Sequence, residues 1–206
     1  MERTWTVCLL GGPSGTGKTK ITYRLAAHFG VGITEVDDLH IAVEHMTTPD
    51  QQPMLHYWKT HPEAAKLPPE RILELHLAVS EVLIPPLVAV VANHIETNTP
   101  IVLEGDYIVP ALIQRCITQF GREHITSAFL VEDDQGQLVQ NFASREPEAG
   151  TQTKRAQVSQ IYGRWLKDEA ERLDLPVVEA RPWETVFDRV CRAIRKQVQY
   201  PDPPVP

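Results

Sequence analysis

Gly12-Pro13-Ser14-Gly15-Thr16-Gly17-Lys18-Thr19 fits Gly-x4-Gly-Lys-Ser/Thr, the phosphate-binding P-loop (Walker A) pattern. Its flanks fit as well. The apolar run Thr4 to Leu10 reads as a buried strand, and Lys20 to Phe29 has helical spacing, with Ile21, Leu25 and Phe29 on one face. Strand, glycine loop and helix is the context in which such a pattern holds phosphate. The glycines let backbone N–H groups curl around phosphate oxygens, and the helix N-terminus adds a favourable dipole. The predicted nucleotide contacts are Gly12, Pro13, Ser14, Gly15, Thr16, Gly17, Lys18, Thr19 and Lys20. In this reading Lys18 reaches the β- and γ-phosphates, and the Thr19 hydroxyl ligates Mg²⁺.

The 206 residues are enough for one domain with a real core. A net charge of −7, from 27 acidic against 20 basic residues, argues against a nucleic-acid partner. The basic residues between Arg145 and Lys196 alternate with acids, as on a solvated helix surface. Cys8, Cys116 and Cys191 are far apart and odd in number, which fits buried thiols in a reducing compartment. With no charged-apolar leader at its start, the chain is expected to be cytoplasmic. Ile72 to Ile95 is long and apolar, but it carries Glu74, His76 and Glu81, and Pro85-Pro86 interrupts it. A buried helix kinked at the prolines, or two helices meeting there, is expected in place of a membrane span. Its breadth of apolar surface leaves room for a homodimer face.

Further strands are predicted at Ile33 to Val36, Ile101 to Leu103, Ile125 to Val131 and Pro176 to Glu179. Helices are expected at Pro110 to Phe120, Gln137 to Arg145, Gln157 to Leu173 and Trp183 to Val198. A polar and aromatic stretch fills Leu39 to Pro69, and Glu146 to Thr153 is loose and polar. Residues 200–206, rich in proline, are expected to be a disordered tail behind a single domain of residues 1–199. Alternating strands and helices predict an α/β fold: a parallel sheet covered on both faces, three layers in all. Ligands of such sheets sit beyond the carboxyl ends of the strands, where the P-loop, Asp37 and Glu104 all fall.

Those carboxylates carry the chemistry. Phosphoryl transfer needs positioning and charge neutralisation, so one placed carboxylate, one lysine and Mg²⁺ suffice. Asp37, at the end of the second strand, is the expected base for an attacking hydroxyl; Asp38 is the alternate, or a helix cap. Glu104 closes the run Ile101-Val102-Leu103 in the position of a Walker B acid, serving Mg²⁺ or orienting the acceptor, and Asp106 competes for the role. Arg145, Lys154 and Arg155 flank the loose segment, as the basic residues of a small lid (about residues 145–156) closing over a moving phosphoryl group. Arg181, before Pro182 and Trp183, falls where a loop would run along the nucleotide base, and Trp183 reads as a helix-start anchor. His40, Tyr57 and Trp58 are read as lining of an acceptor pocket with Asp37, Asp38, Glu104 and Asp106. The spacings of His40, His45, His56 and His61 match no common zinc pattern.

The P-loop string, Asp37 after the second strand, and Leu103-Glu104-Gly105-Asp106-Tyr107-Ile108-Val109-Pro110 together resemble the 2-phosphoglycerate kinases and related small-molecule P-loop kinases. The Glu-Gly-x-x-Ile-x-Pro element is the most telling part, because a generic P-loop protein has no need of it. The resemblance covers most of residues 5 to 195. It implies a P-loop NTPase with an adenylate-kinase-like core, ATP with Mg²⁺, and phosphorylation of a small hydroxylated metabolite. The acceptor region departs from that picture. Between Arg24 and Arg71 there is no arginine, only Lys59 and Lys66, where a phosphorylated acid calls for arginine forks. A neutral alcohol is therefore the other acceptor considered. A nucleotide-binding regulator without phosphotransfer is the alternative class. The Asn-Lys-x-Asp signature of a GTPase does not occur in the sequence.

Overall fold

The computed structural model describes residues 3–198, and the tail at 200–206 lies outside the described residues. Five parallel strands form one sheet: β1 (Val7–Gly11), β2 (Gly32–Glu35), β3 (Ile101–Gly105), β4 (Ile125–Val131) and β5 (Val177–Glu179). Their order is β2-β3-β1-β4-β5, so the chain reverses direction across the sheet at β1. Among the described residues eight α-helices connect and cover them: α1 (Lys18–Phe29), α2 (Val36–Met46), α3 (Tyr57–Thr60), α4 (Pro69–Glu96), α5 (Pro110–Phe120), α6 (Gln135–Arg145), α7 (Thr153–Arg172) and α8 (Trp183–Val198).

The strands are apolar throughout because both faces of the sheet are covered. Along β1, Val7 and Leu9 join the core beneath α4, α5 and α7, whereas Cys8 and Leu10 join the core beneath α1 and α8. The period of two in a strand thus divides one apolar run between two layers of helix. Each such leucine, fully buried, contributes about 2 kcal/mol of transfer free energy.

One expected boundary is corrected. Val36 does not end β2 but begins α2, and Asp37 and Asp38 lie in that helix's first turn. Two carboxylates at a helix N-terminus complement its dipole, and Val36 packs so closely on Gly105 that a Cβ there would stand 2.8 Å from its own. Of the two readings of the long apolar stretch, one buried helix is what forms: α4 runs unbroken through Pro85 and Pro86. Pro85 and Glu81 face solvent, so water can take over a carbonyl that proline cannot serve, while Leu83, Ile84, Leu87 and Val88 hold the helix in the core. This helix is long and apolar enough to span a bilayer, and it is a core helix of the domain, packed on α5, α7 and β1.

The P-loop backbone leaves no room for side chains. Gly12 has φ 138°, and a Cβ there would stand 2.1 Å from the Leu130 carbonyl oxygen in β4. Gly12→Ala is expected to destabilise the fold by about 3 kcal/mol, through backbone strain and a clash with main chain that cannot yield. Urea unfolding of the variant measures it; an unchanged midpoint would remove the close approach of loop and strand.

Candidate active site

The P-loop lies between β1 and α1, at the reversal point of the sheet, and opens on a cavity of about 810 Å³. Within the loop, Thr16 Oγ1 donates to the Pro13 carbonyl at 3.0 Å. Lys18, 6% exposed, donates to the same carbonyl at 3.0 Å and forms an ion pair with Asp106 at 2.6 Å. The Thr19 hydroxyl donates to Glu104 Oε1 at 2.8 Å.

Segments after β4 brace the loop from the other side. Asp134 caps α6, its Oδ1 accepting from the backbone of Gly136 and Gln137. The capped helix presents Leu138, Asn141, Phe142 and Arg145 at i, i+3, i+4 and i+7. Asn141 Nδ2 donates to the Gly15 carbonyl at 2.8 Å, and a Cβ at Gly15 would stand 2.9 Å from the Phe142 ring. Arg155, at the start of α7, lies over that ring with its guanidinium carbon 4.4 Å from the centroid. It also reaches Ser14 Oγ at 3.4 Å. Arg155 and Arg145 share Glu146, at 2.9 and 2.8 Å, and their hydrogen bonds hold that carboxyl below its usual range. Arg181 donates to the buried Glu132 at 3.2 Å. Trp183 both lines the cavity and packs on the loop, since a Cβ at Gly17 would stand 2.5 Å from its ring.

The cavity wall brings together most of the residues expected from the sequence: Ser14 to Lys20, Asp37, Glu104, Asp106, Arg145, Arg155 and Arg181. Gly12 and Pro13 shape the loop from behind. Asp38, His40, Tyr57 and Trp58 are not among the lining residues. His40 packs edge-on against Tyr107, Tyr57 stacks on His61, and Trp58 packs partly buried against the core. Lys154 donates to the Ala65 carbonyl at 2.9 Å and so ties α7 to the segment before α4.

Sequence reasoning missed Glu35, Asn141 and Ser144, which line the cavity, and the aromatic platform beneath Asp106. The spacing of α6 carries the signal for Asn141. The platform carries none, because its parts lie on three separate segments. There the Asp106 carbonyl accepts from the Tyr162 hydroxyl at 2.6 Å and lies 3.1 Å from His76 Nε2, while His76 stacks on Tyr107. Burial keeps the His76 ring neutral by pushing its pKa down, against the pull of Asp106. Tyr162→Phe leaves the shape intact and removes one buried donor, so a stability loss of about 1 kcal/mol is expected in urea unfolding. No loss at all would mean that the Asp106 carbonyl is held without it.

Burial, and after it the Asp106 carboxylate, raises the Asp37 carboxyl above its ordinary range, against the pull of Lys18 and His40. Burial likewise raises Glu104, opposed by Lys18 and the Thr19 hydrogen bond. Glu104 Oε2 is buried without a hydrogen-bond partner. One carboxylate beside one hydroxyl is the oxygen donor set that Mg²⁺ takes when phosphates and waters complete its shell. Among the described residues there is no cluster of three or more His, Cys, Asp or Glu side chains that would cage a metal alone.

No family model matches the chain, and no curated protein sequence does. Solved structures do. The chain is similar to a gluconokinase from Sinorhizobium meliloti 1021, at 15% identity over 96% of each chain with a TM-score of 0.57. It is similar to the tunicamycin resistance protein of Deinococcus radiodurans, at 14% identity over 97% of this chain and 99% of that one, TM-score 0.53. A shikimate kinase from Acinetobacter baumannii, in complex with shikimate, matches at 14% identity over 96% of this chain and 97% of that one, TM-score 0.52. At these identities the likeness speaks for the fold: this chain has the fold of the small-molecule P-loop kinases, with the sheet order β2-β3-β1-β4-β5.

Proposed function

We propose that the protein is an ATP-dependent kinase that transfers the γ-phosphate to a hydroxyl of a small metabolite. The observation that carries this reading is the convergence of Lys18, Thr19, Glu104 and Asp37 on one cavity, beneath the arginines of α6 and α7. The P-loop amides and Lys18 hold the β- and γ-phosphates, and Arg145 and Arg155 neutralise charge on the phosphoryl group from the lid side. Thr19 and Glu104 would hold Mg²⁺, which would supply charge neutralisation for the phosphates. Asp37 orients the acceptor hydroxyl. As that oxygen bonds to the γ-phosphorus, the bond from phosphorus to the bridging oxygen breaks, ADP leaves, and the hydroxyl proton passes to Asp37. Arg181 and Trp183 flank the nucleotide on the β5 side. The residues of 145–156 act as the lid.

The family resembled names 2-phosphoglycerate as acceptor; a neutral alcohol is the other acceptor the sequence leaves open. A regulator that only binds nucleotide has no use for a free carboxylate beside the P-loop, and Asp37 lines the same cavity as Lys18 and Thr19. Coupled ADP release with Mg·ATP tests the reading across 2-phosphoglycerate, nucleosides, sugars, shikimate-like acids and aminoglycosides. Stimulation by one class is expected. Tight ATP binding with no stimulation by any class would favour the regulator.

A further inference from the structure

The charges lining the cavity are sorted by strand. Glu35 ends β2, Asp37 opens α2, Glu104 lies in β3 and Asp106 follows it. All four belong to the half of the sheet formed by β2 and β3, where Glu35 pairs in register with Glu104. The lining arginines, Arg145, Arg155 and Arg181, all belong to segments that follow β4 or β5. Lys18 and Lys20 lie between, on the P-loop helix. Among the described lining residues, the β2–β3 half thus contributes four carboxylates and no cationic side chain.

Two of the four are accounted for. Asp106 is paired with Lys18, and Glu104 accepts from Thr19 with its second oxygen left for a cation. Glu104 is 4% exposed, and its Oε2 is a buried, unpartnered polar atom on a residue of the cavity wall. Glu35 and Asp37 remain, two residues apart across the β2–α2 junction, and among the described residues neither has a hydrogen-bonded or ion-paired cation. On the phosphotransfer reading, Arg145, Arg155 and Arg181 serve the nucleotide and the moving phosphoryl group, which leaves the β2–β3 half to the acceptor.

Resting on the phosphotransfer reading of the same cavity, we infer that the acceptor carries a positive charge close to its reacting hydroxyl. Its chemical class is the amino alcohols and aminated sugars. A protonated amine offsets the Glu35 carboxylate while the neighbouring hydroxyl meets Asp37. A carboxylated or phosphorylated alcohol meets the Glu35 and Asp37 carboxylates on a side of the cavity that offers no arginine fork to receive it. The site selects by repulsion as well as by attraction.

Matched acceptors test this with the intact chain and Mg·ATP: serinol, glycerol and glycerate in one set, glucosamine, glucose and gluconate in another. Within a set that is turned over, kcat/KM is expected to favour the amine about tenfold over the neutral compound and about a hundredfold over the acid. Glu35→Gln is expected to bring the amine and the neutral compound within about threefold of each other. A neutral or acidic member that leads its set overturns the inference and leaves the phosphotransfer reading standing. An amine preference that survives Glu35→Gln also overturns it. Transfer to no member of either set, together with no stimulation by any class of the wider panel, overturns both.

Discussion

Lys18→Ala is expected to lower phosphotransfer by about a thousandfold or more, while the fold survives. The lysine is the one cation buried within the P-loop, and its ammonium lies on the Pro13 carbonyl and the Asp106 carboxylate. A lysine that reaches the β- and γ-phosphates neutralises charge as the phosphoryl group moves, which binding elsewhere cannot replace. Removing it leaves Asp106 without its partner. That carboxylate is 29% exposed, so water screens it and the stability loss stays modest. Rates at saturating ATP, beside a thermal unfolding curve, separate the two effects. Full activity in the variant would take the P-loop out of the mechanism.

Asp37→Asn is expected to drop transfer by about a hundredfold or more, with ATP affinity kept within a few-fold, because the amide keeps the shape and loses the base. Asp38→Asn, one residue along and away from the cavity wall, is expected to change little. The opposite result would move the base by one residue. Asp37 also predicts a pH dependence. Its folded carboxyl lies above the ordinary value of 3.8, first through burial and then through Asp106. Transfer needs the charged form, so kcat/KM is expected to fall as pH drops through that raised value. The acid limb therefore lies above the ordinary carboxylate range, and Asp37→Asn should erase it.

Much of this fold was legible because the signals are local. The string from Gly12 to Thr19 names a strand, a loop and a helix at once, and both faces of β1 are buried as its unbroken apolar run implies. Four of the five strands fall within a residue or two of their expected ends. The first helical turn of α2 was not legible, because Val36 reads equally as a strand residue and as a buried helix start. Only its contact with Gly105, from a distant strand, decides between them. For α4 the sequence left one helix or two open, because two prolines end a helix in isolation; packing on α5 and α7 holds it as one. In the site, residues bound to the P-loop pattern or to strand ends were found. Those supplied by long-range packing, such as Tyr162 and His76 on the Asp106 carbonyl, were not. His40, Tyr57 and Trp58 drew the eye as polar aromatics, but their rings pack on Tyr107, His61 and the core.

The proposed reaction is transfer of the γ-phosphate to a hydroxyl in the Lys18–Asp37 cavity. Phosphorus NMR of the protein with Mg·ATP and a pooled set of hydroxylated acceptors reads it directly, with Lys18→Ala as the blank. A phosphomonoester resonance is expected that grows as the γ-phosphate signal of ATP declines, and that is missing from the blank. ATP consumed to inorganic phosphate alone, or a phosphomonoester that forms equally well with Lys18→Ala, would contradict it.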